Sequence, residues 1–133
     1  MSADFLAAPE GLEVRIMDLS GANGTEPLEV VRGFTSLAHA NQFARRYVRD
    51  SVEICRPRSG KSDDVTRAWF AFGEDAVVEG SGEGCWSSGT ELAGFAAQAP
   101  RDPEDRNWRI LDPRRLESDA DDDDDLDAED EAP

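Results

Sequence analysis

Apolar and polar positions alternate over a short stretch near the start of the chain. Leu12, Val14 and Ile16 are separated by Glu13 and Arg15, a period of two that predicts a half-buried strand. SGANGTEP follows, with Asn23-Gly24 and Pro27 as loop signals, and Leu28, Val30, Val31 and Phe34 then predict a second strand beside the first.

The period changes after Phe34. From Thr35 or Ser36, either a good N-cap, the chain runs to Pro57 without glycine or proline. At 100° per residue, Leu37, Ala40, Ala44, Tyr47, Val48, Ser51 and Cys55 share one face, flanked by Phe43 and Ile54. His39, Gln42, Arg45, Arg46, Arg49 and Glu53 fall opposite, so this is an amphipathic helix laid on something flat, with its charged side expected to face solvent.

RPRSGKSDD reads as a polar loop. The aromatic run VTRAWFAFG, with Trp69, Phe70 and Phe72, suits a strand, and AVVE returns as another after Gly73-Glu74-Asp75. In GSGEGCWSSGTEL, residues 80–92, Ser88-Gly89-Thr90-Glu91 has the form of a capping box, and Leu92, Phe95 and Ala96 supply the apolar stripe of a second helix before Pro100. Near the end, Trp108, Ile110 and Leu111 are the only apolar anchors. The expected fold is a small single α+β domain: a four-stranded, mainly antiparallel sheet with two helices on one face, ordered β-β-α-β-β-α. It would span residues 12–112, between a flexible N-terminal segment, 1–11, and a C-terminal tail, 113–133.

Charge separates that tail from the body. Of thirty acidic residues, eleven lie in residues 117–133, which carry no basic residue and one leucine. The remaining nineteen acids face fourteen bases, so a formal charge of −16 for the whole chain becomes −5 for residues 1–116. So little apolar surface cannot offset the entropy of ordering, and the tail is expected to be disordered. No apolar run approaches the roughly 18 residues of a membrane span. The N-terminus lacks a basic region before its short apolar patch, so the expected setting is the cytoplasm, with Cys55 and Cys85 reduced.

The chemistry-bearing residues are sparse. Gly84 to Gly89 has P-loop spacing, but Thr90 stands where the lysine must reach phosphate; Gly82 and Gly84 begin a dinucleotide loop that Ser87 fails to complete. His39 is the single histidine, the two cysteines are far apart, and no EF-hand spacing occurs, so no catalytic set, metal site or cofactor is expected. Cys85, in a glycine-rich loop before a helix, is the candidate reactive thiol, whereas Cys55 falls on the apolar helix face. The strongest asymmetry is cationic: Arg45, Arg46, Arg49, Arg56, Arg58, Lys61 and Arg67 make up half of the fourteen basic residues. They form a candidate docking patch for an anionic partner or for the chain's own tail.

Two function classes follow. One is a non-enzymatic protein-interaction module or adaptor whose acidic tail tunes electrostatic binding, with a partner that offers the tail a cationic surface. The alternative is a nucleic-acid-associated regulator, its patch at 45–67 masked by the tail or its tail imitating a phosphate backbone. The net negative charge argues against direct nucleic-acid binding.

Overall fold

The computed structural model describes residues 11–80 and 83–115; the sequence expectations for residues 1–10 and 116–133 lie outside them. The first strand, β1 (Glu13–Asp18), is central. It pairs antiparallel with β2 (Glu29–Val31) on one side, Val14 opposite Val31, and with β3 (Glu74–Glu79) on the other, Val14 opposite Val78. The order is β2-β1-β3. Period-two alternation sends Val14, Ile16, Val31, Ala76 and Val78 to one face, where all are buried.

Helix α1 (Leu37–Cys55) covers that face. Ser36 caps it, the hydroxyl accepting from the His39 amide at 3.1 Å, and Pro57 prevents its continuation past Arg56. Ala40, Phe43, Ala44, Val48, Ser51 and Val52 are its buried residues. They recur at three- and four-residue steps, as expected of one helical face.

Residues 65–72, expected as a strand, form helix α2 (Ser62–Phe72). The sheet of the described residues therefore has three strands instead of four, and the order is β-β-α-α-β-α. Val65 and Trp69, one turn apart, are buried, while Phe70 and Phe72 project outward. Asp63 and Asp64, read as loop charges, occupy the first turn, where the helix dipole favours them. The helix stops at Gly73, whose amide closes on the Trp69 carbonyl at 2.7 Å. Glycine is required by space there: a Cβ would lie 2.3 Å from Trp69 Cδ1.

The connector after β3 leads to a 3-10 turn (Ser88–Thr90) and the short helix α3 (Leu92–Ala97). Leu92, Phe95 and Ala96 join the core, as their spacing predicted. The capping box does not form, since the Glu91 carboxylate turns away from the Ser88 amide and binds Arg45 and the Trp86 indole. A bidentate bond to a guanidinium is stronger than a bond to one neutral amide. Beyond α3, two 3-10 turns (Pro103–Arg106 and Arg109–Leu111) run back along α1. Trp108 packs edge-on against Phe43 at 5.8 Å, Leu111 is partly buried, and Ile110 is exposed.

Candidate functional site

The α1 arginines meet the C-terminal part of the chain. Arg45 Nε and Nη2 donate to the two Glu91 oxygens at 2.7 and 2.9 Å. Arg46 donates to the Asn107 carbonyl at 3.1 Å and pairs with Glu104 at 3.6 Å. Arg56 binds both Glu53 oxygens and also donates to the Phe95 and Ala96 carbonyls, which closes the end of α3 onto α1. Arg67, on α2, pairs with Asp64 at 3.1 Å. Arg58 and Lys61 lie exposed in the loop between α1 and α2, with no ion pair among the described residues. Arg49 lies over the Phe95 ring, its guanidinium carbon 4.4 Å from the centroid. So Arg45, Arg46, Arg49 and the C-cap Arg56 belong to α1, while Arg58 and Lys61 lie in the loop after it and Arg67 on α2.

The side of α1 expected to face solvent is thus largely covered. Gln42 is exposed, but His39, Arg45, Arg46, Arg49 and Glu53 are half-buried. His39 takes the Thr35 amide on Nδ1 at 3.1 Å, so its proton resides on Nε2, which donates to the Leu111 carbonyl at 2.7 Å. Asp50 accepts from Arg106 at 2.7 Å and from the Trp108 indole at 3.3 Å. The arginine at 45 holds the Glu91 carboxyl below the usual carboxylate range, opposed by burial. The helical wheel could not register this layer, because most of the residues that form it are about forty or more positions downstream.

The glycine-rich connector is also tied to α1. Asn41 donates to the Gly84 carbonyl at 2.8 Å and accepts from the Trp86 amide at 2.9 Å. Gly84 adopts φ +95°, a left-handed conformation natural to glycine. Cys85, between them, is half-buried, and so is Cys55; both are free thiols. Burial, and secondarily the Glu74 charge, push the Cys55 thiol up. Among the described residues, no group of three His, Cys, Asp or Glu side chains is placed to hold a metal ion, and no helix is long and apolar enough to cross a membrane.

A different surface had no counterpart in the sequence reading. Where α1 ends and α2 runs into β3, a groove of about 240 Å³ opens. Tyr47, Cys55 and Trp108 contribute to its lining, and Ile54 and Phe72 stand beside it, 72% and 76% exposed. Glu74 lies at the strand end and accepts the Tyr47 hydroxyl proton at 2.5 Å. Ile54 was legible as the shoulder of the apolar helix face. Phe72 was hidden by the strand reading, which gives no reason for an aromatic side chain to project from a helix end.

No protein-family model, curated protein or solved structure matches the chain.

Proposed function

We propose that the chain is a non-enzymatic protein-interaction module that receives an apolar side chain of a partner protein in the groove between α1 and the α2–β3 junction. The supporting observation is the pair Ile54 and Phe72, two large apolar side chains left mostly in water on the lining of one groove. Isolated exposed apolar residues need no explanation, but contiguous ones mark interaction sites. Size favours a side-chain anchor over a small substrate: about 240 Å³ is below the roughly 300–1,000 Å³ of typical ligand pockets. Trp108 and Tyr47 add the aromatic surface that interface centres favour, and the acidic C-terminal segment adds long-range attraction to a partner with cationic surface. A cytoplasmic setting fits two thiols that are unpaired.

Nucleic-acid association draws less support. Arg45, Arg46, Arg56 and Arg67 each already have a carboxylate partner, and phosphate would have to displace it.

A photo-activated crosslinker installed at Ile54 or at Phe72 tests the proposal in the native cell, with exposed Gln42 as the control position. One discrete protein adduct shared by positions 54 and 72 and absent at 42 is expected. Adducts at 54 and 72 no stronger than at 42 would remove the groove from consideration.

A further inference from the structure

Arg49 differs from its neighbours on α1. Arg45, Arg46 and Arg56 each have a carboxylate within 4 Å. The Arg49 guanidinium has no hydrogen bond or ion pair to any described residue, and its Nη1 is shielded from solvent without a partner. A shielded donor without a partner is costly, more so when charged, so buried charges are normally paired. The neighbourhood offers partial compensation only. Phe95 lies under the guanidinium, Glu53 and Asp105 attract it from a distance, and Arg45 and Arg56 repel it.

The surface around Arg49 is a shallow, open depression. A groove of about 400 Å³ runs between α1 and α3, lined by Arg45, Arg49, Thr90, Glu91, Phe95 and Gln98 among others. The guanidinium lies over the Phe95 ring and borders this groove, so an acceptor seated there would meet Arg49 at its open side.

We propose that Arg49 is the receptor for a carboxylate of the chain's own acidic C-terminal segment, residues 117–133. A carboxylate matches the fork and carries a single charge. A phosphate chain would bring more charge beside Glu91 and, lacking a tether, would have to approach a molecule of net charge −16 from outside. Tethering selects the source. A chain of eighteen residues, the number after Arg115, can reach at most about 59 Å, whereas a domain of about 105 residues has a radius of gyration near 13 Å. Eleven carboxylates on such a tether reach effective concentrations on the order of millimolar at Arg49. This contact is independent of the Ile54–Phe72 groove.

The test is NMR of the full-length chain at low salt, reading the Arg49 side-chain N–H and the Gly94 and Phe95 amides. The comparison is a variant in which all eleven acidic residues of 117–133 are replaced by asparagine or glutamine. Neutralising the segment should shift all three signals and speed exchange of the Arg49 guanidinium protons about 3-fold, the size of an exposed pair. Salt near 1 M should do the same to the native chain. The difference at Gly94 and Phe95 should vanish in an Arg49→Gln background and persist in Arg58→Gln. Signals unmoved by neutralisation, or a difference undiminished in Arg49→Gln, would overturn the proposal. Core amides of Val48 and Ala76 report folding in every variant; should Arg49→Gln unfold, the neutralised segment on the native body decides alone.

Discussion

The Trp69 indole N–H donates to the Ser51 hydroxyl at 3.1 Å, and the Glu74 amide reaches the same oxygen at 2.9 Å. One buried hydroxyl therefore joins α1, α2 and β3 at a single point. Ser51→Ala strands two donors, the buried Trp69 indole and the partly buried Glu74 amide. At roughly 1–3 kcal/mol each, the variant should lose about 2–6 kcal/mol. Urea unfolding is the measurement, with a lower midpoint at unchanged slope. A loss below about 0.5 kcal/mol would mean that both donors find other acceptors.

Gly73 is limited by crowding. Its missing Cβ would meet the Trp69 ring at 2.3 Å and the Trp69 carbonyl oxygen at 2.8 Å, and neither is the loose end of a flexible side chain. Gly73→Ala should cost about 1–3 kcal/mol, the usual range for overpacking. Thermal melting would show it, and Gly94→Ala, at a position with open space, should be tolerated.

Tyr47 is the only tyrosine, so its ionisation can be followed directly. Burial first, then its hydrogen bond to Glu74, raises its ionisation above the ordinary value of 10. The folded state holds the phenol proton more tightly than the unfolded chain does. Its contribution to stability is therefore present below about pH 10 and is lost as pH rises through the higher folded value. Tyrosinate absorbance should appear later in the native protein than in urea. A native titration centred near 10 would refute the coupling, and Tyr47→Phe should remove the alkaline fall in stability that this group causes.

Cys55 should be the slower thiol. Its ionisation is pushed up by burial and by Glu74, and only the thiolate attacks an alkylating reagent. Timed alkylation of the native chain should modify Cys85 first, with the two rates converging in urea. Faster native labelling of Cys55 would contradict the packing at the end of α1.

How much of this was legible varies by element. Ser36, the apolar spacing from Leu37 to Cys55 and Pro57 are local signals, and they bounded α1 correctly. The alternation at Leu12 to Ile16 located β1 for the same reason. Helix α2 was misread because Trp69, Phe70 and Phe72 favour strands as residue types, whereas burial of Val65 and Trp69 at a four-residue step is a helical arrangement. Tertiary packing overrode propensity there. Among the arginines, composition located the cluster, but only the return of residues 91–107 reveals that three are engaged and Arg49 is not.

The double coverage of α1 carries a consequence for how this sequence can drift. On an ordinary surface helix, half the positions accept almost any polar substitution. Here His39, Asn41, Arg45, Arg46, Asp50 and Arg56 each grip a segment far along the chain. A substitution scan should therefore find the helix intolerant around most of its circumference, with Gln42 among its few permissive sites. Variation should collect instead at exposed positions in the loops of residues 20–26 and 58–61.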